Sequence, residues 1–320
     1  MYNVVVMGGG KGQSALLRGL KELPFLNLSA IVTVADDGGS TGRLREDFDL
    51  PAMGDVRDVL LSLAESESML HEVMDYRFDE SSRSDLAGHS LGNLILTALT
   101  EIQGDFMAAI SAMSKILNVQ GKVIPASTER ITLCAQMNDG TIVRGESNIP
   151  MYQNHIQRVF YDEYIEASQE AIEVIEKADI ILFGVGSVYT SILPNVIIPN
   201  IQKALKRSSA KKIYYSNVMT QPGETDGFSF EDHIEAIESH SGVSMDLIVS
   251  SSDQIPHHIL RAYEKEGSFP VYFKQQKHHY EVLYQSLLSF EGETIRHDPC
   301  KVRDGFFEVL EVLACPLVAK

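Results

Sequence analysis

One arrangement constrains this chain more than any other: a β-branched run that breaks into glycines and then into an amphipathic helix, met twice within the first 45 residues. In "NVVVMGGGKGQSALLRGL", Val4 to Met7 read as a buried parallel strand and Gly8 to Gly12 as a loop. Ser14 to Leu23 read as a helix with Leu16, Leu17, Leu20 and Leu23 on one face, stopped by Pro24. A second strand, Ala30 to Ala35, ends in "DDGGSTGRLR". Strand, glycine loop, helix and strand is the opening of a βαβ unit, so the fold class is α/β with a Rossmann-like, mostly parallel sheet.

The pattern pauses and then resumes. "GDVRDVLLSLAE" reads as a helix with Asp55 as N-cap and Val56, Val59, Leu60 and Leu63 buried. Polar "FDESSRSDLAG" reads as a loop. Two helices follow, "GHSLGNLILTALTEI" and "DFMAAISAMSKILN". "RITLCAQMNDGTIVRGES" reads as a hairpin turning at Asn138-Asp139-Gly140. Residues 86–150 are therefore expected as a helical lobe plus hairpin within one domain, 1–320. Beyond it, "DIILFGVGSVYTSILPN", "KKIYYSNVMTQPGET" and "DLIVSSSDQIPHHILRAYEKE" return to strand, loop and helix.

Ligands of open parallel sheets bind beyond the carboxyl ends of the strands. Four such ends carry unusual polar loops: Gly8–Ser14, Asp36–Arg43, Gly184–Ser187 and Asn217–Thr225. In the first, Lys11 precedes Gly12, the wrong order for the Walker phosphate loop. Gly10, Gly12 and Ala15 satisfy the weaker dinucleotide spacing. Gly9, Gly10 and Gly12 let backbone N–H groups approach an anion at a helix start, with Lys11 and Ser14 beside them. Otherwise the loop is a tight turn with a solvated lysine.

In the second loop Asp36 fits a ribose-binding acid, which would favour a nicotinamide enzyme. Equally, Asp36 and Asp37 suit a metal or a hydroxyl nucleophile, or one of them a cap. Gly186 and Ser187 read as a second anion cradle or a simple capping serine. Asn217 can read a base or sugar edge, although such a stretch is more often an ordinary turn. Arg296 in "RHD" is either a phosphate clamp or part of a solvated turn. His89 and Ser90 suit a helix cap better than a hydrolase elbow. Neighbouring histidines at 257–258 and 278–279 point apart and do not chelate.

A formal net charge of −17 disfavours nucleic acid and anionic membranes as partners. Cys134, Cys300 and Cys315 form no metal-binding spacing, and no apolar run approaches the roughly 18 residues of a membrane span. A cytoplasmic protein without membrane insertion is the expectation, with a homodimer open.

Taken together, "GGGKGQSALLRGLK", "VTVADDGGSTGRLR", "GDVRDVLLSLAE", "AGHSLGNL", "LCAQMNDGTIVRGESNIP", "GSVYTSILPNVIIP", "SNVMTQPGETDGFSFEDH" and "RHD" resemble, in the same order, the YvcK-like gluconeogenesis factors (UPF0052). That family is related to the CofD type of 2-phospho-L-lactate transferase. The resemblance spans residues 3 to about 300. It implies a Rossmann-like core and a UDP-sugar ligand of the UDP-N-acetylglucosamine kind. It further implies a role in cell shape and wall synthesis during growth on gluconeogenic carbon sources, through partners it does not name.

On that basis Gly9, Gly10, Lys11, Gly12 and Ser14 would cradle the diphosphate, and Gly186 and Ser187 would add a second anion contact. Asn217 would read sugar or base, and Arg296 would clamp phosphate. No catalysis and no obligatory cofactor is implied, although magnesium can accompany a bound diphosphate. The CofD relatives imply the alternative, a metal-dependent transferase in which Asp36 or Asp37 positions metal or acceptor. The chain departs from the family pattern at Lys11, Gln13, Val185 and Pro299, where threonine, leucine, proline and threonine are usual.

Overall fold

Val4, Val5, Val6 and Met7 are fully buried, as a strand covered on both faces requires. The structure is a computed structural model that describes residues 1–65, 68–152, 154–275 and 277–314. Cys315 lies outside them.

The strands are β1 (Tyr2–Gly8), β2 (Leu26–Val32), β3 (Lys122–Pro125), β4 (Leu133–Met137), β5 (Ile142–Arg144), β6 (Ile156–Tyr161), β7 (Ile180–Phe183), β8 (Lys211–Tyr215), β9 (Leu247–Ser251), β10 (Glu281–Gln285), β11 (Leu288–Glu291) and β12 (Thr294–His297). The helices are α1 (Gly10–Leu20), α2 (Gly39–Phe48), α3 (Gly54–Leu63), α4 (Ser68–Asp75), α5 (Leu91–Gln103), α6 (Phe106–Ile116), α7 (Gln169–Glu176), α8 (Leu193–Val196), α9 (Pro199–Arg207), α10 (Phe230–Ser241), α11 (His257–Lys265) and α12 (Pro299–Val312).

Seven strands form one sheet in the order β10-β9-β8-β7-β1-β2-β3, and every adjacent pair is parallel. Chain order runs outward from β1 through β2 to β3, then restarts at β7 and runs the other way. The switch point therefore lies between β1 and β7, where a doubly wound sheet leaves its ligand crevice. Helix α1 lies on one face, packed against α3 and α12 and touching β12, while α7 and α8 contact β1.

The hairpin forms where Asn138-Asp139-Gly140 places it, with Gly140 at φ +84°. It joins β6 in a separate antiparallel sheet, β5-β4-β6, rather than extending the main sheet. Within residues 86–150, β3 belongs to the main sheet, pairing with β2 from Ser29–Lys122 to Val32–Pro125. A strand of four residues between a helix and a polar turn carries too little period-2 pattern to read.

Boundaries differ from the sequence expectation at β2, which spans Leu26–Val32 rather than Ala30 to Ala35, and at two helix starts. Helix α1 starts at Gly10, not Ser14, because extended Gly9 and left-handed Gly10 (φ +58°) turn the chain within two residues. The N-cap of α3 is Met53, and Asp55 sits in the first turn. An aspartate there still complements the helix dipole, so its sequence signal resembles that of a cap.

Candidate functional site at the switch point

The first and third loops pack directly on each other. A Cβ on Gly12 would overlap the Val185 carbonyl, so only glycine lets the start of α1 lie against the loop after β7. The Asn217 amide locks that loop: Nδ2 donates to the Gly186 carbonyl (2.8 Å) and Oδ1 accepts from the Tyr214 hydroxyl (3.0 Å). Ser187 caps the π-helical turn Val188–Ile192, accepting from the Thr190 N–H (2.9 Å), and its hydroxyl donates to Glu224. Asn217 and Ser187 thus hold the loops in place through contacts inside the protein.

The second loop is built around three side chains. Asp36 accepts from the Gly38 N–H at 2.9 Å, closing a tight turn. Asp37 accepts from the N–H groups of Glu146 and Ser147 at 3.1 and 2.9 Å, capping the 3₁₀ helix Glu146–Met151 of the hairpin segment. Arg45, only 4% exposed, donates to the Asp36 carbonyl at 2.7 Å and also to the Ile131 carbonyl. The hairpin segment is thereby fastened over the end of β2.

The carboxyl ends of the strands consequently gather acids. Asp55 lies directly over the glycine loop: a Cβ on Gly9 would overlap its carboxylate, and one on Gly10 would lie 3.2 Å from it. Burial, reinforced by the Asp36, Asp58 and Glu146 carboxylates, holds the Asp55 carboxyl well above the usual range. Burial first, then Asp36, pushes Glu146 up to about 7. Burial does the same to Glu224, against hydrogen bonds from Ser187 and Thr190. Asp36 is raised by burial too. Among the described residues no three His, Cys, Asp or Glu side chains converge to hold a metal ion.

Beside this acidic floor a cleft of about 530 Å³ opens between α1, α3, α4 and the β11–β12 hairpin. It brings Lys11, Gly12 and Ser14 together with Arg296 from the far end of the chain, adds Arg18 and His297, and is lined as well by the carboxylates of Asp58, Asp75 and Glu291. Gly9, Gly10, Asp36, Asp37, Gly186, Ser187 and Asn217 do not line it. Lys11 and Arg296 are exposed, while Ser14 and His297 are 2% and 7% exposed. In "RHD" the work is divided: Arg296 faces the cleft, and Asp298 caps α12, accepting from the Cys300 N–H at 2.8 Å.

Sequence reading passed over Asp55, Glu146, Arg18 and His297 as site residues. Arg18 carried a signal, since it follows Lys11 and Ser14 at helical spacing on one side of α1. The others carried none, because their placement depends on contacts between distant segments. The Ser90 expectation holds: it is the N-cap of α5, accepting from the Asn93 N–H. Asn93 in turn accepts from Arg57 at 3.3 Å, which joins the "GDVRD" and "GHSLGN" segments structurally.

A doubly wound parallel sheet with a glycine loop at its switch point defines a Rossmann-like α/β protein with a ligand crevice at the strand ends. The family model 2-phospho-L-lactate transferase CofD matches residues 4–288. The gluconeogenesis factor of Bacillus subtilis (strain 168) is 46% identical, with 96% of this chain and 98% of that protein covered. The gluconeogenesis factor of Halalkalibacterium halodurans is 47% identical, with 96% of each covered. A crystal structure of a UPF0052 family member from Bacillus halodurans superposes with a TM-score of 0.90 at 46% identity, covering 95% of this chain and 99% of that one. The chain belongs to the CofD family, and these two relatives carry the name gluconeogenesis factor.

Proposed function

We propose that the protein is a UDP-sugar-binding gluconeogenesis factor that supports cell shape and wall synthesis during growth on gluconeogenic carbon, and that it works by binding rather than by turnover. The ligand's diphosphate sits in the cleft beside α1. One observation carries this reading: Lys11 in the first turn of α1 and Arg296, from opposite ends of the chain, face one cleft, with Arg18 in the last turn of α1 further along it. In a chain of net charge −17, Lys11 at the N-terminus of α1 with Arg296 across the cleft suits an anion there, while the carboxylates of Asp58, Asp75 and Glu291 line the same cleft. The cleft volume also lies in the range of small-ligand sites, roughly 300–1,000 Å³.

A thermal-shift panel of UDP-sugars, NAD and GDP tests it. A UDP-sugar at a hundred times its dissociation constant should stabilise the protein by about 2.7 kcal/mol. No shift with any UDP-sugar at millimolar concentration rejects the reading.

The acidic floor favours a second reading, a CofD-like transferase. Magnesium at a diphosphate needs only one or two protein carboxylates; Asp36 and Asp55, outside the cleft lining, would be those donors only with the diphosphate over the strand ends instead of in the cleft. Bound there, magnesium would neutralise phosphate charge. Glu146 and Glu224, with carboxyls near 7, are suited to hold or move a proton. Magnesium-dependent consumption of a nucleotide-activated donor, lost in Glu146→Gln, supports this reading; no turnover across an acceptor panel rejects it.

A further inference from the structure

The cleft contains two polar atoms that the protein leaves unsatisfied. Ser14 and His297 line the cleft, and their Oγ and Nε2 atoms are buried with no hydrogen-bond partner within the protein. A buried polar atom without a partner costs roughly 1–3 kcal/mol, so a ligand in the cleft that completes it gains affinity. The two sit on different elements, α1 and β12, held together by the packing of α1 against β12.

The structure assigns to His297 and Ser14 the recognition of the uncharged, hydrogen-bonding part of the ligand next to its phosphates, such as a ribose or sugar hydroxyl. This assignment rests on the UDP-sugar reading. Lys11, Arg18 and Arg296 attract any phosphate, because charge attraction is non-directional. A bare inorganic phosphate leaves His297 and Ser14 unpaired, whereas an esterified diphosphate completes them. Sites built to hydrogen-bond a substrate group reject analogues that lack it for this reason. Burial lowers His297 to about 4, so at neutral pH it offers a hydrogen bond rather than a charge. Its setting is rigid: Asp253 accepts from the N–H groups of Leu287 and Leu288, at 2.6 and 2.8 Å, and fixes the start of the hairpin.

The test is calorimetric titration of UDP-N-acetylglucosamine and of inorganic pyrophosphate into the wild type, Lys11→Ala, Ser14→Ala, His297→Leu and His297→Gln. Gln places an amide near the position of His Nε2. His297→Leu and Ser14→Ala should each weaken the UDP-sugar about tenfold and leave pyrophosphate within about twofold. His297→Gln should retain most of the affinity. Melting temperatures of the ligand-free variants should hold or rise, since an unsatisfied group has been removed. Lys11→Ala should weaken both ligands alike.

Equal weakening of both ligands in His297→Leu and Ser14→Ala overturns the assignment, as does a fall in melting temperature with the ratio of affinities unchanged. If Lys11→Ala binds as the wild type does, the location of the phosphate site fails. If the wild type binds neither ligand, the UDP-sugar reading fails and this assignment with it.

Discussion

At the scale of single residues, Gly12 and Glu224 make the sharpest claims. Gly12 has ordinary helical geometry, so its requirement is steric: any side chain meets the Val185 backbone rather than a flexible tip. Gly12→Ala should cost roughly 1–3 kcal/mol, read as a lower urea midpoint with an unchanged slope. Glu224 is buried, and its folded carboxyl is raised to about 7 from a reference of 4.5. The folded state then holds a proton that the unfolded state has released. Its stabilising contribution is full below about 4.5 and is lost as pH rises through about 7. Glu224→Gln should therefore gain on the wild type as pH rises from 5 to 8, by on the order of 1–3 kcal/mol. Melting curves at three pH values check this, and a pH-independent difference would refute it. Gly12 was legible as a special glycine; Glu224 was visible only as one polar residue of a turn.

At the scale of elements, hydrophobic period and turn chemistry located most strands and helices, because each buries a face that its own residues encode. They failed at β3, β6 and the start of α1, counted the first turn of α2 as loop, and gave no element at α4, α10, β10 or α12. Strand β6 follows a polar stretch and pairs with β4 from 19 residues earlier (Ile156 against Met137, by subtraction). No local pattern announces a partner at that distance. The hairpin segment depends instead on Asp37, which read as a ligand or catalytic candidate and is seen to cap Glu146 and Ser147. Asp37→Ala should release that 3₁₀ turn at a cost of about 1–2 kcal/mol. Hydrogen exchange at the Glu146 and Ser147 amides should accelerate well beyond that in β1. Unchanged protection there would mean that neighbouring packing alone holds the turn.

At the scale of the whole molecule, charge and topology act together. A net charge of −17 repels itself across the fold, and screening should relieve it. Raising salt from 20 to 300 mM should raise the melting temperature of the ligand-free protein and, under the proposed function, weaken UDP-sugar binding at the Lys11–Arg296 cleft. A melting temperature indifferent to salt would show that the acids are locally balanced. By itself the sequence determined the α/β class, the glycine loop after the first strand, the capping role of Ser90 and the family, because these follow from neighbours along the chain. Only the tertiary structure decided that β7 lies beside β1 and that Arg296 meets Lys11. It also decided that Asp55 covers the glycine loop, and that Asn217 and Asp37 serve the scaffold. Each of these depends on which segments pack together, and the burial that drives packing is non-directional. Residues far apart in sequence therefore carry no mutual signal until the sheet order brings their loops to one edge.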